Sequence, residues 1–215
     1  MPRDPGGVFG EAHLEDLLDP ALLRKVLSRL QVVTGRTGVA PGRTVPPVNA
    51  NPDALTKLLP TALLVAAGLD RATTPSPPPP LLWDDGTNQL LVHLAAASVR
   101  TGSGFIDLTL LVECDQTGRV EVVSTFLTAT PDRPGGVVWA TEDRPRGSAT
   151  VVNRWGDALV ALGWRTLLEL LRTVSAAQGT DTFGRPLVAS TAVAGPDGLM
   201  ITAMGAHPFM TTGTP

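Results

Sequence analysis

Hydrophobic and polar positions alternate along two adjacent segments in the middle of the chain, Phe105–Cys114 and Arg119–Thr128. A period of two is that of a β-strand with one buried face, and Gly118 between the segments suits a tight turn. The pattern therefore predicts a β-hairpin. The apolar face of its first strand comprises Ile106, Leu108, Leu110 and Val112.

The length of the hairpin loop determines which side chains face each other across the two strands. A four-residue loop, Asp115–Gly118, would place Val112 opposite Glu121. A three-residue loop that begins at Gln116 places Val112 opposite Val122 instead, with Gly118 in the left-handed bulge position. The three-residue loop keeps the apolar faces together, and it gives the predicted register.

Other segments with strand character lie on both sides of this hairpin. The segment Gln89–Arg100 is predicted as the first strand, although its three consecutive alanines leave a helix open, and Val137–Thr141 is predicted as a further strand. A second hairpin is predicted from Leu187–Val193 and Leu199–Met204, because Gly195-Pro196-Asp197-Gly198 between them is a turn sequence.

A long apolar helix is predicted from Asn153, as its N-cap, through Ala177. Its apolar residues cover well over half of the helical wheel, which is too wide for a helix with one buried face. We therefore expect this helix to be covered by the sheet and by a second element, or to contribute an interface. The candidate interaction residues on it are Trp155, Leu159 and Trp164.

Two shorter helices are predicted in the N-terminal part of the chain. The first begins after the cap sequence Asp19-Pro20 and spans residues 20–33, and it either docks into a groove of a partner or packs on its own chain. The second begins at Asn51-Pro52-Asp53 and runs to Gly68, with a kink at Pro60. The candidate interaction residues on the first helix are Leu23, Val26, Leu27 and Leu30.

Proline and glycine determine the predicted domain organisation. The two short helices are joined by residues 34–50, a Gly- and Pro-rich segment that we expect to be extended. Residues 73–80, TTPSPPPP, are predicted as a polyproline II spacer about 25 Å long. The chain is thereby divided into an N-terminal arm, residues 1–80, and a compact domain, residues 81–215.

The order of predicted elements after residue 80 is β-β-β-(β)-α-β-β. Antiparallel hairpins with a helix on one face define an α+β fold. We therefore expect an antiparallel sheet packed on one long helix, preceded by an extended arm with two short helices.

Composition and charge exclude several classes of partner. Of the 215 residues, 43% are hydrophobic and 17% are charged, which is typical of a globular chain. The net charge of −3 comes with no stripe of Lys and Arg, so we expect no nucleic-acid partner. The apolar stretch Leu58–Leu69 is too short to cross a bilayer, and the N-terminus lacks the apolar core of a secretory signal. We therefore expect no membrane partner and no signal peptide, and we expect a location in the cytoplasm or in a particle assembled there.

The residues that most often carry chemistry are sparse and dispersed. Cys114 is the only cysteine and falls on the apolar side of its strand, which favours a buried thiol. The three histidines, His13, His93 and His207, do not have metal-ligand spacing. The sequence contains neither a nucleophile elbow nor a phosphate-binding loop. We therefore expect no catalytic, cofactor or metal site.

One pair of carboxylates is a candidate exception. The predicted register places Glu113 opposite Glu121, with Arg119 on the same face of the sheet. Two carboxylates with Cβ atoms about 5 Å apart could act as an acid and a base or bind a cation. The favoured interpretation is a solvated sheet face on which Arg119 relieves the repulsion.

The arms and the lack of a catalytic set favour a non-enzymatic structural or adaptor subunit of a large assembly, such as a phage tail, a virion or a contractile injection machine. The arms would contact neighbouring subunits of the same or another protein. Two alternatives stay open. The order of helices and strands over residues 51–204 is similar to that of secretion chaperones, which implies a peptide-binding dimer formed through helix 153–177. The other is a small enzyme that uses Glu113 and Glu121.

Overall fold

The structure is a computed structural model and describes residues 47–70, 73–128, 139–140, 144–181 and 183–205. Its helices are α1, Pro52–Ala66, and α2, Ala149–Ala176. Its strands are β1, Val48–Ala50; β2, Leu81–Asp84; β3, Gln89–Gly102; β4, Phe105–Cys114; β5, Gly118–Leu127; β6, Trp139–Ala140; β7, Leu187–Gly195; and β8, Gly198–Gly205.

The strands form two antiparallel sheets. One has five strands in the order β2-β3-β4-β5-β6, and the other has three in the order β1-β8-β7. The α+β class is therefore as predicted. The predicted single sheet on one long helix is wrong, because the described residues form two sheets and two helices that share one hydrophobic core.

Helix α1 begins where the sequence predicted. The side chain of Asn51 accepts a hydrogen bond from the Ala54 amide at 2.8 Å and so satisfies one free donor of the first turn. The helix carries Leu55, Leu59 and Leu63 at a spacing of four, and all three are buried. The predicted boundary placed this helix in an arm, yet its apolar stripe packs against α2 inside the core.

The compact part of the chain thus begins before residue 81. Strand β1 pairs with β8 near the end of the chain, and residues 73–80 connect two elements of the same core, α1 and β2. These residues therefore do not separate an arm from a domain. The predicted first helix, residues 20–33, lies outside the described residues.

Helix α2 begins at Ala149, with Ser148 at the N-cap position, rather than at Asn153. The predicted start was wrong because Asn153 lies inside the helix and does not cap it. Its side chain instead accepts a hydrogen bond from Arg144 at 3.1 Å. The wide apolar surface of α2 is covered by the five-stranded sheet, by α1 and by β7. Helix α1 is the second cover that the sequence required.

The register of the β4–β5 hairpin differs from the predicted one by two residues. Cys114 pairs with Gly118, and Val112 pairs with Val120. The Thr117 amide donates to the Cys114 carbonyl at 3.3 Å, and Gly118 has a φ of 64°. Gly118 is therefore the bulge residue that closes the hairpin instead of the last residue inside the loop. A shift of two keeps every side chain on its predicted face.

The remaining predicted strands are found with small changes. Strand β3 begins at Gln89 as predicted but extends to Gly102, and β1 and β2 precede it. Strand β6 lies within the predicted segment Val137–Thr141, whose other residues are outside the described ranges. The second hairpin is confirmed, with Gly195 paired to Gly198 around a two-residue loop.

Candidate functional site

The predicted interaction residues of the long helix are core residues of this chain. Trp155, Leu159 and Trp164 are at most 4% exposed. The ring of Trp164 lies 5.9 Å from that of Phe126, and the ring of Trp155 lies 6.2 Å from that of Trp83, measured between centroids. The structure therefore corrects their assignment to an interface, because α1 and the two sheets enclose the helix. The other four, Leu23, Val26, Leu27 and Leu30, lie outside the described residues.

The solvent side of α2 is polar. Arg154, Asp157 and Arg172 are exposed along it, and Arg172 forms an ion pair with Glu169 at 2.7 Å. This side of the helix therefore offers charged groups to a partner and no continuous apolar stripe.

The two carboxylates of the predicted pair do not lie opposite each other across the hairpin. Glu113 lies opposite Arg119, and Glu121 lies opposite Leu111. The Arg119 Nε donates to Glu113 Oε2 at 2.7 Å, and His93 Nε2 lies 3.1 Å from the same oxygen. The hydrogen bonds from Arg119 and then from His93 lower the pKa of Glu113 below its ordinary value. A carboxylate held ionised in this way is poorly suited to act as a general acid near neutral pH.

A second ionic cluster on the same sheet face is centred on Asp107, whose side chain is 6% exposed. Arg100 donates to one carboxylate oxygen at 2.8 Å, and Thr125 and Arg146 donate to the other at 2.6 Å and 3.2 Å. Burial raises the pKa of Asp107, but the hydrogen bonds from Thr125 and Arg100 and the charge of Arg146 outweigh burial and lower it. The cluster joins β3, β4, β5 and the segment that leads into α2.

A polar cleft of about 370 Å³ lies between the first turns of α2 and the loops that end the β2–β3 and β4–β5 hairpins. Within it, Arg154 donates to Asp85 and to Thr87. The hydrogen bond from Arg154 holds the pKa of Asp85 well below its ordinary range. Gln116 donates to Asn88 at 2.9 Å across the same cleft. These side chains bind one another, so we assign them to holding the three turns together.

The cleft also contains the one cysteine of the chain. The Cys114 sulfur is half-buried and lies 3.1 Å from the Thr117 hydroxyl oxygen. The sequence predicted a buried small hydrophobic side chain at this position, and the structure places it at the rim of the core instead.

The outer face of the three-stranded sheet carries an exposed apolar surface. Met200 pairs with Val193, and Met204 pairs with Val188, with Thr202 between the two methionines. We call Val188, Val193, Met200 and Met204 the methionine strip. Met200 and Met204 are 44% and 42% exposed.

Strand β8 is therefore apolar on both faces. Its other side, Leu199, Ile201 and Ala203, is buried in the core. An antiparallel sheet with one face in water usually has polar residues there. Exposed apolar patches that polar residues surround are typical of protein–protein contact sites. Methionine also suits such a contact, because its flexible, polarisable side chain adapts to different partners.

The described residues contain neither a metal cluster nor a membrane span. Among them, no three His, Cys, Asp or Glu side chains are grouped so that they could hold a metal ion. Likewise, no helix in the described ranges is long and apolar enough to cross a membrane. His13 and His207 lie outside those ranges.

Comparison with known proteins adds no identity. No family model matches the chain, and neither a curated protein nor a solved structure is significantly similar to it.

None of the interaction residues predicted from the sequence belongs to the methionine strip. The sequence signal is that the strand Leu199–Met204 has large apolar residues on both faces. Leu199 and Ile201 lie on one face, and Met200 and Met204 lie on the other. A strand with large apolar residues on both faces is typical of a strand that is buried on both sides.

Proposed function

We propose that this chain is a non-enzymatic structural or adaptor subunit of a multi-subunit protein assembly, and that it contacts a neighbouring subunit through the methionine strip. The observation that carries the proposal is that β8 is apolar on both faces while only one of them meets the core.

The composition of the strip supports a contact surface. Burying a whole methionine or valine side chain stabilises a complex by about 1.5–3 kcal/mol. The two methionines are less than half exposed, so their burial would contribute a fraction of this each, supplemented by the two valines. Thr202 and Thr191 lie between the apolar pairs and provide hydroxyl groups for hydrogen bonds to a partner.

The other large exposed apolar side chains of the described residues are dispersed. Val65 lies on α1, Leu82 on β2, Leu127 on β5 and Phe183 in the segment before β7. Single exposed apolar residues are common on protein surfaces and indicate nothing by themselves. The strip is distinguished by two methionines on one strand, each with a valine opposite.

The two alternative functions have less support. A dimer formed through helix 153–177 requires an exposed apolar face on that helix, and the face is enclosed. An enzyme that uses Glu113 and Glu121 requires the two carboxylates to act together, and Glu113 is bound to Arg119. We therefore propose no second function.

Light scattering on the full chain after size-exclusion chromatography tests the proposal, together with limited proteolysis of residues 1–46. We expect a mass above that of the monomer that rises with concentration. A protein that stays monomeric, and whose residues 1–46 resist protease in that state, would contradict the proposal, because residues 1–46 would then be protected by the rest of the same chain.

A further inference from the structure

We propose that Arg100 and Arg146 together form a docking site for a carboxylate side chain of a second protein. They lie on the outer face of the five-stranded sheet, a different sheet from the one that carries the methionine strip. The proposal therefore goes beyond the proposed function and does not depend on it. The observation that carries it is that two exposed arginines share the single carboxylate of Asp107.

The cluster around Asp107 has one more positive than negative charge. Arg100 donates to one oxygen of Asp107 at 2.8 Å, and Arg146 donates to the other at 3.2 Å. Arginine stays protonated in proteins, so a single carboxylate neutralises only one of the two. One further carboxylate would bring the net charge of the cluster to zero. Arg119 on the same sheet face differs, because no second arginine shares its partner Glu113 among the described residues.

Contacts with the sheet hold both guanidinium groups in place. The guanidinium carbon of Arg100 lies 5.8 Å from the centroid of the Phe105 ring, within the range of a cation–π contact. Arg146 also donates to the Thr125 hydroxyl at 3.2 Å, and its backbone forms two hydrogen bonds of 2.8 Å with that of Val123. Side chains that are already ordered lose less entropy when a partner binds.

Both arginines nevertheless remain accessible to a partner. Their side chains are 73% and 66% exposed, whereas the side chain of Asp107, which they bind, is 6% exposed. Each donates to described residues only through its Nη2 nitrogen, so its Nε and Nη1 groups have no acceptor among those residues. A guanidinium presents five N–H donors in a planar fork that matches the two oxygens of a carboxylate. The N–H groups that Asp107 does not use are therefore suited to a second carboxylate.

The shape of this surface favours a protein over a small anion. Small-molecule sites are concave, and the cleft of about 370 Å³ is lined by other residues. Phe105 and Val123 are half-buried on the same sheet face and add apolar area beside the arginines. Arginine and aromatic side chains are enriched in protein–protein contacts. We therefore assign the pair to an aspartate or glutamate within the contact surface of a protein.

The nuclear magnetic resonance signals of the arginine Nε–H groups provide the test. A blocked peptide, Gly-Leu-Glu-Leu-Gly, is titrated into the wild-type chain at low salt. We expect the signals of Arg100 and Arg146 to shift together and to saturate with one dissociation constant. That constant should be lower than the one read at Arg119 by about five-fold or more. Arg119 is a matched control, because its side chain is 66% exposed, like that of Arg146. The same peptide with Gln in place of Glu should shift neither signal of the pair.

Two variants test whether the arginines act together. Arg100→Gln should weaken the peptide binding read at Arg146 by about five-fold or more, and Arg119→Gln should leave it unchanged. If Arg100→Gln folds poorly, Arg146→Gln read at Arg100 serves instead, and the wild-type titration depends on neither variant.

Three results would overturn the proposal. The first is equal saturation of all three arginines, which would show ordinary binding of an anion to any surface arginine. The second is an unchanged affinity in Arg100→Gln. The third is binding of inorganic phosphate to the pair as tightly as the peptide, which would assign the site to a small anion. The association of the chain through the methionine strip is measured separately and stands or falls independently.

Discussion

Gly163 of α2 packs against Phe126 of β5 so closely that a Cβ atom at position 163 would lie 3.1 Å from the phenyl ring. It would also lie 3.1 Å from the Leu108 side chain. The absence of a side chain at this position allows the helix to approach the five-stranded sheet, and the rings of Phe126 and Trp164 fill the space beside it.

This contact predicts that Gly163→Val destabilises the fold. Adding carbon atoms to a filled core costs about 1–3 kcal/mol, which chemical denaturation would measure. Gly156 on the same helix is the matched control, because its nearest neighbours would be 3.4 Å from a Cβ atom. Gly156→Ala should be neutral or stabilising, by up to about 1 kcal/mol, since alanine favours a helix over glycine. Equal destabilisation by both variants would contradict the packing described.

Helix α1 is predicted to be part of the cooperative fold. Leu59 of α1 is fully buried in the shared core, so Leu59→Ala should lower the free energy of unfolding by about 2–5 kcal/mol while leaving a single transition. Val65→Ala, at an exposed position of the same helix, should have a much smaller effect. If Leu59→Ala left the thermal melting of the chain unchanged, α1 would belong to an independent arm, as the proline run had suggested.

The Asp107 cluster predicts a pH-dependent contribution to stability. Replacing Asp107 by Asn should destabilise the chain by about 1–3 kcal/mol at neutral pH, because hydrogen bonds to a charged, buried oxygen are lost. Folding lowers the pKa of Asp107 below its ordinary 3.8. Its stabilisation is therefore fully present above that pH and is lost as the pH falls through the folded pKa.

Denaturation of the wild type and of Asp107→Asn at a series of pH values measures this effect. The difference between the two should be constant near neutrality and should narrow in acid below about pH 3.8. Asp197→Asn, in an exposed turn, serves as the control and should differ little from the wild type at any pH. A gap that widens in acid would show that the carboxylate is not stabilised in its ionised form.

The sequence predicted local structure better than it predicted how the elements assemble. The caps and turns that it used act within a few residues, and Asn51 and the β7–β8 turn are where they were expected. The partner of α1 depends on contacts distant in sequence, so the proline run suggested a boundary that the core does not have. The β4–β5 register failed because Gly118 can lie inside a loop or pair across it, and both choices preserve the apolar faces.

The candidate site was harder to predict for a related reason. Trp155 and Trp164 were selected as interaction residues because their helix has more apolar surface than one sheet can cover, and the missing cover was α1 of the same chain. Met200 and Met204 were overlooked because either is unremarkable alone. Their significance depends on which strand face meets the core, and that follows from the packing of the three-stranded sheet.

Sedimentation equilibrium of three 215-residue proteins tests the central claim most directly: the wild type, Met200→Glu/Met204→Glu, and Leu82→Glu/Leu127→Glu. The control pair is 48% and 47% exposed and lies on the other sheet, so it matches the strip variant in charge and exposure. We predict that the wild type and the control associate alike and that the strip variant, with an unchanged circular dichroism spectrum, sediments as a monomer. A strip variant that associates as strongly as the wild type would contradict the account.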